Sequence, residues 1–306
     1  MARTSSSLPH LRSISLPSRL NPTNSSLIRI KEELRKFSKW EGSKPLSQDT
    51  IRSVTIQNDL NELAELYRFA QDILQSSSSA TLGFGPQVVV EEALDASTVL
   101  LDACNLCRDT LMTMRERIQD LQSAMRRNRG EVSSVQVCLR DYFRFRKDAR
   151  KNISKCLKEL KTTSITCERR RAAQDVFLAA DLLREVSGIS SKILQSVLSF
   201  LDCDNVMSKR VGGWSIMAMF VPEIRRREGK TMENEVGSVD SVLSSLDRRL
   251  GKKKKSELLI RANNGVMDED GKLESLISWI DRVDVGLNCI FKCLVRNRVE
   301  LLNASL

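Results

Sequence analysis

A single histidine, His10, serves the whole 306-residue chain, which excludes histidine-based metal clusters and leaves most proton-shuttling catalysis without its usual side chain. Cysteine is the other residue able to hold soft metals or attack as a nucleophile, and there are eight. Cys104 and Cys107 form a C-x-x-C, and Cys289 and Cys293 stand four apart. Both pairs fall inside apolar helical patterns, with neither the knuckle glycine of a zinc site nor a thioredoxin-like βαβ setting. They read as small core residues with free thiols in a reducing compartment. Paired carboxylates such as Asp202 and Asp204 read as helix-end residues. Asp268-Glu-Asp-Gly271 resembles part of a calcium loop, but aligning its glycine puts Val266 and Ile277 at the first and last ligand positions. The chain carries no G-x-S-x-G, Walker A or H-E-x-x-H, and Gly83-Phe-Gly85 lacks the third glycine of a dinucleotide loop. The expectation is a protein that is not an enzyme, with no catalytic, cofactor-binding or metal-ligating residues.

Two features point instead to binding. Arg12-Ser13-Ile14-Ser15-Leu16-Pro17 fits R-S-x-S-x-P, in which phosphorylated Ser15 would be held by arginines of a 14-3-3-type reader while Pro17 turns the peptide out of the groove. The second is a row of bases, Arg140, Arg144, Lys147, Lys151, Lys155 and Lys158, stepping by three or four residues, with Arg146, Arg150 and Lys161 widening it. Such a face suits an anionic membrane, a phosphate backbone or an acidic protein, and equally a solvated helix face. Tyr142 and Phe145 fall on the apolar side of the same pattern, which favours core over base stacking and makes nucleic acid the weaker candidate. A small-molecule substrate is not specified.

The net charge of +10 is unevenly placed. Residues 1–39 hold eight bases against two acids, and residues 108–171 hold eighteen against eight, so the remainder is slightly acidic. Residues 1–31 contain no acid and are rich in Ser and Arg, in the manner of a transit peptide. Lys252–Lys255 is a loop lysine cluster with the alternative of a nuclear signal. The longest uncharged apolar stretch, Val211–Pro222, is too short to span a bilayer. The expected location is the cytoplasm, with membrane association, plastid and nucleus as alternatives.

The elements that position these residues follow from hydrophobic spacing. Residues 1–26 show no sustained period and read as a disordered basic, Ser-rich arm. A short helical pattern covers Leu27–Trp40, and a clearer one runs from about Val54 to Gln75. After the loop at 76–86, Val90, Leu94, Leu101, Cys104, Cys107, Leu111, Met114, Ile118, Leu121 and Met125 mark a long helix. A break at Gly130 leads to a second, carrying Val135, Cys138, Tyr142, Phe145, Ala149, Ile153, Cys156 and Leu160. Two long amphipathic helices on a short connection predict an antiparallel pair. Beyond a polar break at Thr162–Thr166, a third pattern runs from Ala173 to Leu201, with Gly188 a candidate kink. Residues 202–232 read as an irregular connection with one short helix at Trp214–Phe220. A helix bearing Val236, Val239, Leu243, Leu246 and Leu250 follows, and a last one from about Lys272 has a coiled-coil-like spacing. The predicted fold is all-α: one elongated antiparallel helical bundle over residues 27–306.

The segments His10–Arg19, Val90–Cys104, Arg108-Asp109, Leu121–Arg127, Arg146-Lys147 and Leu287–Leu306 resemble the plant BYPASS-like family of domains of unknown function. The resemblance covers nearly the whole chain; Asn21-Pro22 departs from it where His-Pro is expected. It implies an all-helical plant protein associated with root and shoot development, without established enzymatic activity, and it makes the arm part of the protein rather than a presequence. Taken together, the expectation is a non-enzymatic regulatory or scaffold protein acting by protein–protein binding. The alternatives are a peripheral protein on anionic lipid and an uncharacterised helical-bundle enzyme.

Overall fold

A computed structural model describes residues 53–76, 87–127, 132–171, 178–202, 234–252 and 258–304, together with Glu32. Six helices occupy these stretches: α1 Ser53–Ser76, α2 Gln87–Arg127, α3 Val132–Arg171, α4 Leu178–Leu201, α5 Glu235–Lys252 and α6 Leu258–Ala304. The all-α bundle expected from the spacing is the observed fold, and the described residues contain no strand. The arm, the pattern at 27–40 apart from Glu32, the connection beyond Asp202 and the stretch at 214–220 lie outside the described residues.

Each helix forms for the reason its spacing gives. Leu60, Leu63, Leu66 and Tyr67 of α1, Leu111, Met114, Ile118 and Leu121 of α2, and Leu276, Ile280, Val283, Leu287 and Ile290 of α6 all join one continuous core. Near α2, three and four residues per step hold the apolar stripe on one side over about 60 Å of helix. α2 and α3 run antiparallel: Cys138 reaches the Asp120 carbonyl at 4.0 Å, while Cys156 lies within electrostatic reach of Asp102. α2 and α6 are also antiparallel. Arg298 donates to the Leu94 carbonyl at 2.6 Å, Cys104 approaches the Leu287 carbonyl at 3.5 Å, and Gln122 donates to Asp270 at 3.4 Å. In each of the three ion pairs along this seam the base is on α2 and the acid on α6: Arg108–Asp284 at 3.7 Å, Arg115–Asp281 at 3.0 Å and Arg126–Glu274 at 3.7 Å. One-sided pairing of this kind fixes the register of two helices that apolar packing alone would let slide.

α1 runs parallel to α6, with Leu60 against Gly286 and Gln71 accepting from Arg296 at 3.0 Å. α4 crosses behind them. Its Ser190 donates to the Val186 carbonyl at 2.7 Å and so receives the Tyr67 hydroxyl proton, also at 2.7 Å, satisfying both buried hydroxyls. Phe200 of α4 stacks on Trp279 of α6 at 4.5 Å between ring centroids.

Two boundaries differ from the sequence expectation. α3 continues through Thr162–Thr166 to Arg171, because a polar stretch lacking Gly and Pro does not stop a helix. α6 begins at Leu258 rather than Lys272, so Asp268–Gly271 is helical instead of forming a loop. α4 is described from Leu178 and continues through Gly188 without interruption.

Candidate docking face

The chemistry of α3 is divided between its two sides. On the inner side, Tyr142 and Arg146 are fully buried and meet Asp240 of α5. The Tyr142 hydroxyl donates to Oδ1 at 2.7 Å, Arg146 Nη2 donates to Oδ2 at 2.8 Å with Nε at 3.1 Å from both oxygens, and Arg150 Nη2 donates to Oδ2 at 3.0 Å. Burial opposes the charge on Arg146, but Asp240 outweighs it and holds the guanidinium charged beyond its ordinary range. Burial, then Asp240, pushes the Tyr142 phenol well up, so it stays a proton donor. Arg146 Nη1 also donates to the Leu201 carbonyl at 2.9 Å, and Asn234 donates to the Phe200 carbonyl at 2.8 Å. These bonds satisfy carbonyls that the end of α4 leaves open. Asn234 then caps α5 by accepting from the Gly237 amide at 2.7 Å. The end of α4 and the start of α5 are therefore tied together at one place. Arg146 is thus removed from the basic face on which the sequence placed it: at 2% exposure it is a core residue, and Arg150 is the hinge between core and surface at 26%.

On the outer side, Arg140, Arg144, Lys147, Lys151, Lys155, Lys158 and Lys161 are all exposed. At about 100° per residue the six row members fall on the side opposite Tyr142, Ile153 and Leu160, and they extend about 27 Å along the helix. Arg144 and Lys155 touch acids of their own helix, Asp141 at 3.9 Å and Glu159 at 3.8 Å, with both bases more than three-quarters exposed. Exposed pairs of this kind leave most of the field intact for a partner. Arg12, Ser13, Ser15 and Pro17 lie outside the described residues.

Beside this row stands a second one that the sequence reading missed. Glu91, Asp95, Asp102, Asp109, Glu116 and Asp120 of α2 are exposed and step by four or seven, which places them on one outer face. The signal was present in the sequence as a heptad of acids. Its second half, Asp109, Glu116 and Asp120, is hidden because the net charge over 108–171 sums the two helices, and its first half lies outside that zone. Since α2 and α3 are antiparallel neighbours, the acidic and basic rows run side by side.

The remaining candidates sit in the interior. Cys104 and Cys107 are buried, and Cys138, Cys289 and Cys293 are partly covered; all the described cysteines are free. Burial pushes the Cys104 thiol up to about 12 and the Cys156 and Cys293 thiols to about 11, which keeps them protonated and unreactive near neutrality. No group of three or more His, Cys, Asp or Glu suited to a metal occurs among the described residues. No described helix is long and apolar enough to cross a membrane.

With this geometry in place, comparison with known proteins identifies a family. A family model described as Protein BPS1 matches residues 59–304, from within α1 to the end of α6. No curated protein and no solved structure matches the chain.

Proposed function

The chain belongs to the BPS1 family, and from that premise we propose that it is a non-enzymatic regulatory or scaffold protein of plant root and shoot development that acts by binding other proteins. The observation that carries the reading is the outer face of α3: six bases on a rigid helix, all directed away from the core, with their interior counterpart Arg146 locked to Asp240. A surface solvated for solubility alone needs bases somewhere, whereas a row along one face of one helix makes a line of charge that an acidic partner can follow. The BPS1 family is not a known family of enzymes, in keeping with this reading. The arm adds a second point of contact, since phosphorylated Ser15 in R-S-x-S-x-P has the chemistry a 14-3-3-type reader recognises. The compartment that fits both is the cytoplasm.

The test is a quantitative pull-down from plant extract with the full chain, K147E/K151E/K155E and Ser15→Ala, with phosphorylation mapped in the same samples. Partners that disappear with the triple reversal while the helical signal persists support the α3 face. Unchanged partners remove it. Vesicle binding lost with the same reversal, without any protein partner, would replace the protein reading by a peripheral membrane one.

A further inference from the structure

The acidic row of α2 and the basic row of α3 lie on adjacent helices at the same height. The pairing of Cys138 with Asp120 and of Cys156 with Asp102 sets that height. Asp120 falls level with the start of the basic row at Arg140, Asp109 falls between Lys147 and Lys151, and Asp102 falls between Lys155 and Lys158. The valley between the two helices is floored by Val99, Leu106 and Phe145, which are only partly buried and pack against the core from its outer edge. An apolar line between an acidic row on α2 and a basic row on α3, the latter interrupted on its valley side by Asp141, Asp148 and Glu159, has the layout of a helix-pairing surface in which the bases of α3 outnumber its acids.

Such a surface discriminates among partners. An anionic membrane or a nucleic acid presents one sign of charge, and the acidic row would meet it alongside the basic one. An acidic helix would satisfy α3 and leave α2 opposed. The partner that fits both rows carries a basic row and an acidic row, parallel, at this spacing and with the same stagger, and the chain itself is such a molecule. A two-fold axis parallel to α2 and α3 lays the acidic row of one copy over the basic row of the other, twice, with the apolar valleys face to face. A two-fold axis perpendicular to the helices and lying in the interface would set like charge on like, so the charge pattern selects one arrangement.

We infer that the α2/α3 face is a self-complementary dimer interface: its occupant is a second copy of this chain, with α2 of one copy crossing α3 of the other in antiparallel fashion. The inference rests on reading the α3 row as a docking face, and it names that face's partner. The individual ion pairs are exposed and weak, so they set orientation and partner choice while the apolar valley supplies the contact area. Dimerisation is accordingly salt-sensitive, because charges spaced about 10 Å apart are screened at about 0.1 M salt.

Sedimentation velocity on the full chain tests this with two charge-reversed variants, K147E/K151E/K155E and D102K/D109K/E116K, at low and high salt. The wild type is expected to shift from monomer to dimer with rising concentration, and each variant to associate at least ~10-fold more weakly, since each now faces itself with like charge. An equal mixture of the two variants restores dimer, because a predominantly acidic face meets a predominantly basic one. That rescue cannot come from misfolded chains, and circular dichroism on each variant checks the fold independently. A wild type that stays monomeric at every concentration, a dimer indifferent to both reversals, or a mixture that remains monomeric overturns the inference. A monomeric wild type that still loses extract partners on reversal of the α3 row overturns the dimer and leaves the docking-face reading standing. A monomer that loses neither extract partners nor binding to phosphatidylcholine/phosphatidylserine vesicles removes both.

Discussion

Asp240 shows how one buried carboxylate can organise three helices. It takes bonds from Tyr142, Arg146 and Arg150, and Arg146 in turn closes the end of α4. Asp240→Ala leaves the Arg146 charge buried without its partner, and breaking a buried pair this way costs about 3–5 kcal/mol. Tyr142→Phe removes one hydrogen bond and costs about 1–2 kcal/mol. Urea midpoints on the two variants check that order; equal costs would mean that the charge is not what holds the cluster. The cysteines make a second residue-scale prediction. Their thiols ionise near 9.0 when free, but at about 12 for Cys104 and about 11 for Cys156 and Cys293 in the fold. A group whose folded pKa is raised contributes its stability in full below the unfolded value and loses it as pH rises through the folded one. Stability against urea should therefore hold up to about pH 9 and decline between about pH 9 and 12. Replacement of these three cysteines by Ala should flatten that decline.

At the scale of elements, helix contacts turn on how closely backbones approach. A Cβ added at Gly286 would sit 3.1 Å from both Cβ and Cδ1 of Leu60, so Gly286→Val forces α1 away from α6 and should cost about 1–3 kcal/mol. Gly188 has nothing within 4 Å of the same position. Gly188→Ala should therefore stabilise α4 by about 0.5–1 kcal/mol through helix propensity alone. Thermal midpoints moving in opposite directions would confirm the two sites. Helix existence was legible from the spacing of Val90 to Met125 and of Val135 to Leu160, because burial needs one face and one face needs a fixed period. Helix ends were less so. Thr162–Thr166 looked like a break, yet nothing there prevents hydrogen bonding, and α3 runs on to Arg171. A periodic base such as Arg146 looks the same in sequence whether water or Asp240 receives it; its partner lies 94 residues away, a distance no local pattern reports.

For the whole molecule, the arrangement of charge follows from which helices are neighbours. Bases on α2 meet acids on α6 across the seam from Arg108 to Glu274, while the outer faces of α2 and α3 carry opposite signs. The basic row was visible in the sequence; its setting beside an acidic one required the pairing of the helices. The central claim is that the outer face of α3 docks a partner, and lysine footprinting reads that face directly. The full-length chain, diluted until monomeric, and its purified complexes, the dimer among them, are labelled with a lysine-specific reagent, and the modification rate is compared site by site. The account predicts that Lys147, Lys151, Lys155 and Lys158 slow together in the complex while Lys192 and Lys272 on α4 and α6 react as before. Unchanged rates along α3, with protection elsewhere in the bundle, would contradict it.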